Sequence, residues 1–249
     1  MIEHELAGRR AIVTGSAKNI GRAIAIELAQ AGAAVAINAR TSDDAARDVA
    51  AEIERAGGRA VVVLADVGTA DGARRLIDDT AAALGGIDIL VNNAAVRREA
   101  AFADLDFAQW REVLSIALDG AYLCSHAALP HLMRAPAGHA AIVNIGGLTA
   151  HTGAARRAHV VAAKAGLVGL TRALAHDLAP HVTVNCVAPG LIETARAGAA
   201  PAHHAHAQTL LGRRGQPADV AALVRFVCGP GGRYLTGQTL HVNGGAYLG

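Results

Sequence analysis

The chain has 249 residues, of which 52% are hydrophobic and 3% aromatic, and its formal net charge is +2. A chain of this length can bury a large α/β core built from alanine, valine and leucine. The small charge, with lysines and arginines scattered along the chain, argues against a nucleic-acid partner. We see no uninterrupted apolar run of the roughly 18–20 residues that cross a bilayer, so we also expect no membrane partner.

The N-terminal residues and the cysteines indicate a cytoplasmic protein. The first ten residues, MIEHELAGRR, lack the charged-then-apolar layout of a signal peptide. Cys124, Cys186 and Cys228 lie far apart and have no metal-like spacing. We therefore expect three buried, reduced thiols and no metal site.

Strand and helix patterns alternate along the chain. Apolar runs without alternation, most of them closed by glycine or a polar residue, predict strands, and apolar residues at helical spacing predict helices. Strands are predicted at 9–15, 33–40, 59–67, 87–95, 140–147, 182–190 and 237–245. Helices are predicted at 20–32, 41–57 (capped by Ser42), 70–84, about 110–134, 157–179 and 217–228.

Strands that are each followed by a helix indicate a parallel sheet covered on both faces. We predict one Rossmann-type domain over residues 1–249, a three-layer α/β/α sandwich with a doubly wound parallel sheet of about seven strands. A polar, alanine- and histidine-rich insert suggests a substrate lid at about 191–215. Ligands of such sheets bind at the carboxyl ends of the strands, so the loops after these ends should form one site.

The stretch TGSAKNIG, residues 14–21, joins the first strand to the first helix. Gly15 permits a tight turn, and Gly21 allows the helix to pack close to the strand. Backbone N–H groups at the start of this helix suit a pyrophosphate. Asn19 stands where a middle glycine is usual, and asparagine tolerates the left-handed conformation, so we expect the loop to form.

The end of the second strand indicates which dinucleotide fits. It has the sequence INARTS, with Asn38 and Arg40 but no carboxylate before Asp43. Folds that prefer NAD place an acidic residue here to bond the ribose 2′-hydroxyl. Arg40, together with Lys18 in the phosphate loop, favours a 2′-phosphate instead. We therefore predict NADP(H) as the preferred cofactor, with NAD(H) as the alternative.

Five motifs in order resemble those of the short-chain dehydrogenase/reductase family over essentially the whole chain. They are TGSAKNIG, ADV at 65–67, NNAA at 92–95, VAPGLIET at 187–194 and YLTGQTLHVNGG at 234–245. In appearance the chain is most similar to 3-oxoacyl-acyl-carrier-protein reductases and glucose-dehydrogenase-like members. The resemblance implies an NAD(P)-dependent oxidoreductase acting on a small molecule.

The resemblance also implies a role for each matching cofactor residue. The pyrophosphate would lie on the first loop, the adenine and ribose on the next two motifs, and the nicotinamide on the loop after the sixth strand. The residues, in that order, are Gly15, Ser16, Asn19, Ile20 and Gly21; Asp66 and Val67; Asn93 and Ala94; and Pro189, Gly190, Ile192 and Thr194. Lys164 would bond both hydroxyls of the nicotinamide ribose.

The catalytic residues implied by the resemblance are mostly missing. Members of the family transfer a proton through a tyrosine placed four residues before the lysine, aided by a serine and an asparagine. Here Val160 occupies the tyrosine position, Gly147 the serine position and Ala117 the asparagine position. Of the four residues only Lys164 remains, so ordinary ketone reduction by the family mechanism should be very slow.

Other side chains are candidates to replace the missing groups. His151 and Thr149, in the loop after the fifth strand, are the most suitably placed, and we include them with Lys164 as candidate catalytic residues. His159 adjoins the tyrosine position but should point about 100° away from it. Four arginines are candidates for contact with a substrate, namely Arg97, Arg98, Arg156 and Arg157.

The lid carries a histidine run, His203, His204 and His206. Its spacing and the absence of a carboxylate partner are more typical of a lid than of a metal site. We therefore predict no metal there.

Three hypotheses remain. The first is an NADP(H)-dependent oxidoreductase with a rearranged proton source or an activated substrate, such as a polarised C=C bond. The second is a catalytically impaired subunit that binds NADP(H) and pairs with an active homologue. The third is a redox-neutral lyase or isomerase that uses Lys164 or His151 in the same pocket. The small apolar faces of two long helices predict a homotetramer or homodimer.

Overall fold

The computed structural model describes residues 4–96, 98–195 and 209–249. These residues form a seven-stranded parallel sheet with strand order β3-β2-β1-β4-β5-β6-β7. The strands are β1 (Arg10–Val13), β2 (Ala34–Ala39), β3 (Arg59–Leu64), β4 (Ile89–Asn92), β5 (Ala140–Ile145), β6 (Val182–Pro189) and β7 (Thr239–Val242). The predicted α/β fold with a doubly wound parallel sheet is confirmed.

The helices lie on both faces of this sheet. They are α1 (Asn19–Gln30), α2 (Asp43–Arg55), α3 (Ala70–Leu84), α4 (Phe107–Leu114), α5 (Gly120–Leu132), α6 (Thr149–Thr152), α7 (Ala158–Leu178) and α8 (Pro217–Cys228). One core cluster packs α1, α2 and α8 on the sheet, and a second packs α3, α5 and α7 on the opposite face. Each face of the sheet is therefore closed by its own apolar layer.

The strand order positions the site. β1 lies between β2 and β4, so the order along the sheet reverses beside β1. In an open parallel sheet, this reversal leaves a crevice at the carboxyl ends of the strands. The loops that follow β1 and β4 meet in that crevice.

The segment between β4 and β5 differs from the prediction. A single helix was predicted over about 110–134, but α4 begins at Phe107, and a π-helical segment, Ser115–Asp119, separates it from α5. The earlier start follows from Asp106, whose carboxylate accepts a hydrogen bond from the Gln109 N–H at 2.7 Å. A side-chain cap was also expected from Ser42, which lies at the N-cap of α2 but makes no such bond.

Two helical stretches, Phe107–Leu132 and Ala158–Leu178, are long and apolar enough to cross a membrane by length and composition. The expectation stated from the sequence used a stricter criterion, which neither stretch meets. It counted uninterrupted apolar runs, whereas an apolar window tolerates a few charges. α5 packs on α3 and β4, and α7 packs on β6, as core helices do.

The three cysteines are free and buried, as predicted. Burial raises the pKa of the Cys124 thiol to about 12 and that of Cys186 to about 11. Both groups are therefore protonated, unreactive thiols at neutral pH.

Candidate active site and cofactor cradle

The loop after β1 is clamped by the segment after β4. The Thr14 hydroxyl accepts hydrogen bonds from the N–H groups of Asn93 and Ala94, both at 2.9 Å. In return, the Asn93 side-chain amide donates to the carbonyl oxygens of Thr14 at 2.9 Å and Gly15 at 3.1 Å. These four bonds fix the shape of the predicted pyrophosphate loop against the crevice.

The same loop has the backbone geometry predicted from its residues. Gly15 has φ = 61° and Asn19 has φ = 54°, so both lie in the left-handed region that few residues adopt easily. Ile20 is buried under the loop, and Lys18 is exposed just before α1. The first turn of α1 contains no acidic residue, which leaves its N-terminal N–H groups and dipole suited to an anion.

Ser16 and Asn38 shape the loop through internal bonds. The fully buried Ser16 hydroxyl donates to the Val13 carbonyl at 2.7 Å and accepts from the Asn38 N–H at 3.0 Å. The Asn38 side chain accepts from the Gly15 N–H at 3.1 Å and donates to two carbonyls of the β3 region at 3.2 Å. Asn38 thus holds the loop to the neighbouring strands.

The predicted adenine side of the crevice carries Arg40, Asp66 and Val67. Arg40 is exposed, and its Nη1 lies 3.9 Å from Asp66 Oδ2. The other Asp66 oxygen accepts from the Gly68 N–H at 3.0 Å, and Val67 is buried. This distant surface pair is weak and leaves the guanidinium available to an anion.

The segment after β6 is held from two sides. The Pro189 carbonyl accepts from the Leu148 N–H at 2.9 Å, and the Gly190 N–H donates to the Val242 carbonyl at 2.8 Å. A methyl group on Gly190 would lie 2.7 Å from Asn243 Cα, so this close approach requires glycine.

The ends of the predicted lid are joined just beyond this segment. Ile192 forms a β-bridge with Gly215, and Thr194 lies half-buried beside this bridge. The intervening His203, His204 and His206 lie outside the described residues.

Lys164 lies directly beside the predicted serine position. Its ammonium group donates to the Ile145 carbonyl at 2.5 Å, at the end of β5. A Cβ atom added to Gly147 would lie 3.9 Å from Lys164 Cγ, with no other contact within 4 Å. The position is therefore open and faces the lysine.

The predicted tyrosine and asparagine positions fall together in one small apolar cluster. Val160 and Ala117 are 7% and 4% exposed and pack with Val113 and Ala163, with Val96, Leu114 and Leu118 around them. Ala117 lies in the π-helical segment between α4 and α5. This arrangement offers neither a hydroxyl nor an amide at the two positions.

The other candidates near α7 differ in their surroundings, and neither ring nitrogen of His159 has a hydrogen-bond partner among the described residues. His159 is fully buried, and its pKa is lowered by burial and by the nearby Arg157, against an opposing effect of Glu112. Arg157 is buried 3.9 Å from Glu99, and Arg98 forms a two-bond pair with Glu112 at 2.8 and 3.0 Å. The carbonyl of Arg156 accepts from the Ala100 N–H, and Arg97 lies outside the described residues.

His151 and Thr149 lie on α6, the short helix that follows Gly147. Thr149 is half-buried at its start. The His151 ring packs on His241 from β7 and on Tyr247 from the C-terminal tail, residues 243–249. Neither partner could be predicted from the sequence, because the contact joins residues far apart in the chain.

A buried polar network behind the site was also missed. The Asn92 side-chain amide donates to Asn144 Oδ1 at 2.9 Å and to the Ser125 hydroxyl at 3.1 Å. Asn144 in turn donates to the Thr171 hydroxyl at 2.9 Å. The network ties β4, β5, α5 and α7 together. The signal in the sequence was one asparagine in each of two otherwise apolar strands, Asn92 as the last residue of β4 and Asn144 as the second-last of β5.

Comparison with known proteins identifies the family. A family model described as Enoyl-(Acyl carrier protein) reductase matches residues 15–247. The chain is 36% identical over 244 residues to the 3-oxoacyl-[acyl-carrier-protein] reductase of Staphylococcus aureus (strain Mu50), covering 96% of this chain and 98% of the relative. It is 38% identical over 245 residues to the corresponding reductase of Synechocystis sp., covering 98% of each.

Solved structures agree with these matches. A short-chain dehydrogenase from Burkholderia cenocepacia J2315, solved in complex with NADP, has a TM-score of 0.91 and 39% identity over 97% of this chain and 99% of that one. A dehydrogenase/reductase from Sinorhizobium meliloti 1021 has a TM-score of 0.93 and 37% identity over 99% and 98%. This chain belongs to the short-chain dehydrogenase/reductase family. The resemblance stated from its motifs is confirmed, and so is its place among the oxidoreductases of that family.

Membership explains why short-chain dehydrogenase/reductase motifs coincide with the structural contacts described above. The TGSAKNIG loop and the NNAA segment are the two partners of the Thr14–Asn93 clamp. The VAPG segment is the one held by Leu148 and Val242. The motifs therefore mark the residues that build the cradle of this family member.

Proposed function

We propose that this protein is an NADP(H)-dependent oxidoreductase with an atypical active site that reduces an activated C=C bond and does not reduce ordinary ketones. The observation that carries the proposal is the apolar cluster around Val160 and Ala117, next to a retained Lys164. The family model that covers residues 15–247 is described as an enoyl reductase, a name that denotes C=C reduction.

The residues present fit an NADP(H) molecule. The amides at the start of α1 suit the pyrophosphate, and the clamped loop exposes them to the crevice. Lys18 and Arg40 are exposed, and we assign them to the 2′-phosphate. The relative from Burkholderia cenocepacia was solved with NADP, which supports the same preference here.

The chemistry of the acceptor follows from the apolar cluster. NADPH supplies a hydride when bound. Reduction of a ketone also needs a proton at the developing alkoxide, and loss of a positioned acid costs about 10²–10⁴ in rate. Val160 and Ala117 cannot give that proton. Hydride addition to the β-carbon of a conjugated C=C bond gives an enolate instead, with its charge on the neighbouring carbonyl oxygen. The enolate is a weaker base than an alkoxide and takes its proton at the α-carbon from solvent water, so it needs no positioned acid. There Lys164, with His151 or Thr149, is our candidate to stabilise the resulting charge.

A matched pair of substrates tests the proposal. The protein is mixed with NADPH and either an enoyl thioester or the 3-oxoacyl thioester of the same chain length, and cofactor oxidation is followed. We expect turnover of the enoyl substrate and a rate at least about 10²-fold lower for the ketone. Equal turnover of both would show that another group supplies the proton, and the proposal would be wrong.

Two other outcomes select the alternatives. NADPH binding without turnover of either substrate would favour an impaired subunit that pairs with an active homologue. Phe102 and Phe107, which are 79% and 74% exposed beside α4, are compatible with such a pairing. Failure to bind either nicotinamide cofactor would favour the redox-neutral lyase or isomerase.

Lys18 and Arg40 together predict a preference for NADPH over NADH. In a Lys18→Ala/Arg40→Ala variant we expect NADPH to bind about 10²–10⁴-fold more weakly, because hydrogen bonds to charged groups contribute roughly 1.5–3 kcal/mol each and two are removed. NADH affinity should stay the same, as measured by titration of both cofactors. Arg22→Ala is the control, since this exposed cation on α1 pairs with Glu52. An unchanged NADPH affinity in the double variant would contradict the assignment.

We further propose that residues 1–249 form one cofactor-binding domain and that the protein works in the cytoplasm as a homotetramer or homodimer. The buried free thiols support the location. Several apolar side chains are exposed near the C-terminal region and suit contact between copies, namely Phe226, Tyr234 and Leu248. Sedimentation analysis would measure the assembly directly.

A further inference from the structure

Three rings from distant parts of the chain meet at α6, the short helix that follows Gly147. His151 on α6 and His241 on β7 are in edge contact, with ring centroids 4.6 Å apart and planes at 70°. Tyr247 of the C-terminal tail stacks on His151 at 5.6 Å and lies against His241 at 5.2 Å. Leu240 and Val242 pack into the core under α8, so the intervening His241 points to the opposite face.

The two imidazoles have no group to balance a positive charge. His151 Nε2 and His241 Nδ1 are buried and have no hydrogen-bond partner among the residues that the structure describes. The pKa of His241 is lowered, first by burial and then by His151. A protonated ring here would be a poorly solvated charge next to a second imidazole.

Among the described residues, the ring contacts of His151 and His241 involve no carboxylate. α7 also packs on α6, and its Lys164, bonded to the Ile145 carbonyl, is itself a cation. α6 presents His151, the tail presents Tyr247, and β6 places Ala188 opposite His241. On the other face of β7, α8 carries Asp219 and Arg225. Asp219 pairs with Arg213, and Arg225 pairs with Glu5 and Glu27.

The tail also connects to the cofactor segment and to the lid. The Asn243 side-chain amide donates to the Tyr247 carbonyl at 3.0 Å, and Asn243 itself lies against Gly190. The Leu211 N–H, at the end of the lid, donates to the Gly244 carbonyl at 3.2 Å. Release of the tail would therefore loosen contacts to both.

We propose that His151, His241 and Tyr247 form a proton-sensitive latch, which holds the C-terminal tail on α6 at neutral pH and releases it when the His241 imidazole is protonated. The role of the latch is to regulate access to the active site of the proposed function. Only this role rests on the proposed function, and the existence of the latch does not. Its opening can be measured without any substrate.

The direction of the pH effect follows from linkage. Because the latched state lowers the pKa of His241, it binds fewer protons than the released state. The latch is therefore fully stable above the ordinary imidazole value of about 6.5 and weakens as the pH falls below it. One unit below that value, the upper limit of the loss in the latching equilibrium is roughly tenfold, for the one proton that His241 takes up.

Hydrogen exchange of the tail tests the latch in the intact protein. Protection of the peptide that covers residues 236–249 is measured at about pH 7.5 and about pH 5.5, corrected for the intrinsic pH dependence of exchange. We expect protection to fall up to roughly tenfold at the lower pH for one proton. A wild-type tail whose protection does not change between the two conditions would overturn the proposal.

Three variants separate the latch from general acid sensitivity. His241→Phe keeps a ring but cannot be protonated, so its tail protection should not change with pH. Tyr247→Ala should show low protection at both pH values, which decides the question if the first variant does not fold. The control His181→Gln changes an exposed histidine and should behave like the wild type. Wild-type pH dependence in His241→Phe, or in Tyr247→Ala, would contradict the latch.

NADPH titration of the same samples distinguishes the two proposals. At about pH 7.5 His241→Phe should bind NADPH as the wild type does, since its ring should hold the tail as the wild-type imidazole does. If no sample binds NADPH, the proposed function fails, but the exchange result still decides whether the latch exists.

Discussion

A Val160→Tyr/Gly147→Ser variant is expected to gain ketone reductase activity by about 10²–10⁴-fold, the contribution of a positioned acid/base group. The tyrosine would stand four residues before Lys164, on the same helical face. The serine would occupy an open position, because its Cβ meets nothing closer than Lys164 Cγ at 3.9 Å. The measurement is kcat/KM for NADPH-dependent reduction of a 3-oxoacyl thioester.

The matched control is Val160→Phe/Gly147→Ser, which adds the same ring without the hydroxyl. Val160 is packed in an apolar cluster, so either ring adds volume and should cost about 1–3 kcal/mol of stability. A gain seen only with tyrosine assigns the effect to the proton. If neither variant gains activity while both still bind NADPH, the cofactor and substrate are not aligned for hydride transfer to a carbonyl.

Most of the fold could be predicted from the sequence, because local signals mark its elements. The bounds of α3 agree with the prediction, and its N-cap Thr69 accepts a bond from the Gly72 N–H. α8 also agrees, since Pro217 stands at its first position. Each predicted strand contains an observed one and exceeds it only by flanking turn residues.

The region between β4 and β5 shows where local signals fail. The π-helical segment at Ser115–Asp119 adds a residue to one turn, and an apolar pattern of average period does not reveal it. The four-residue α6 was also unpredicted, because it is too short to show a periodicity. Its position depends on the bond from Leu148 to Pro189, which joins separate loops.

In the candidate site, too, some residues could be predicted from the sequence and others could not. Gly15, Asn19 and Gly21 could be placed from sequence because backbone conformation and close approach restrict the residue type. The contacts of His241 and Tyr247 with His151 depend on strand order and on the path of the tail. Neither is encoded in the residues next to them, so a single sequence does not predict the contact.

Gly21→Ala is expected to weaken NADPH binding by at least about 10²-fold, the energy of one or two lost charge-assisted bonds. A Cβ at this position would lie 2.5 Å from both Asn93 Nδ2 and the Gly15 carbonyl oxygen, and 2.9 Å from Ser16 Cα. Two of these three atoms are backbone, so the loop itself must move. Asn93 would then lose its bonds to Thr14 and Gly15, and the amides that we assign to the pyrophosphate would be displaced.

The matched control is Gly169→Ala, the same substitution on the exposed side of α7, where a Cβ meets nothing within 4 Å. It should raise stability by roughly 0.5–1 kcal/mol, as alanine does in a helix, and leave NADPH affinity unchanged. Calorimetric titration and thermal unfolding of both variants give the comparison. Wild-type affinity in Gly21→Ala would show that the cofactor does not depend on the loop clamped by Thr14 and Asn93. The pyrophosphate would then have to bind elsewhere in the crevice.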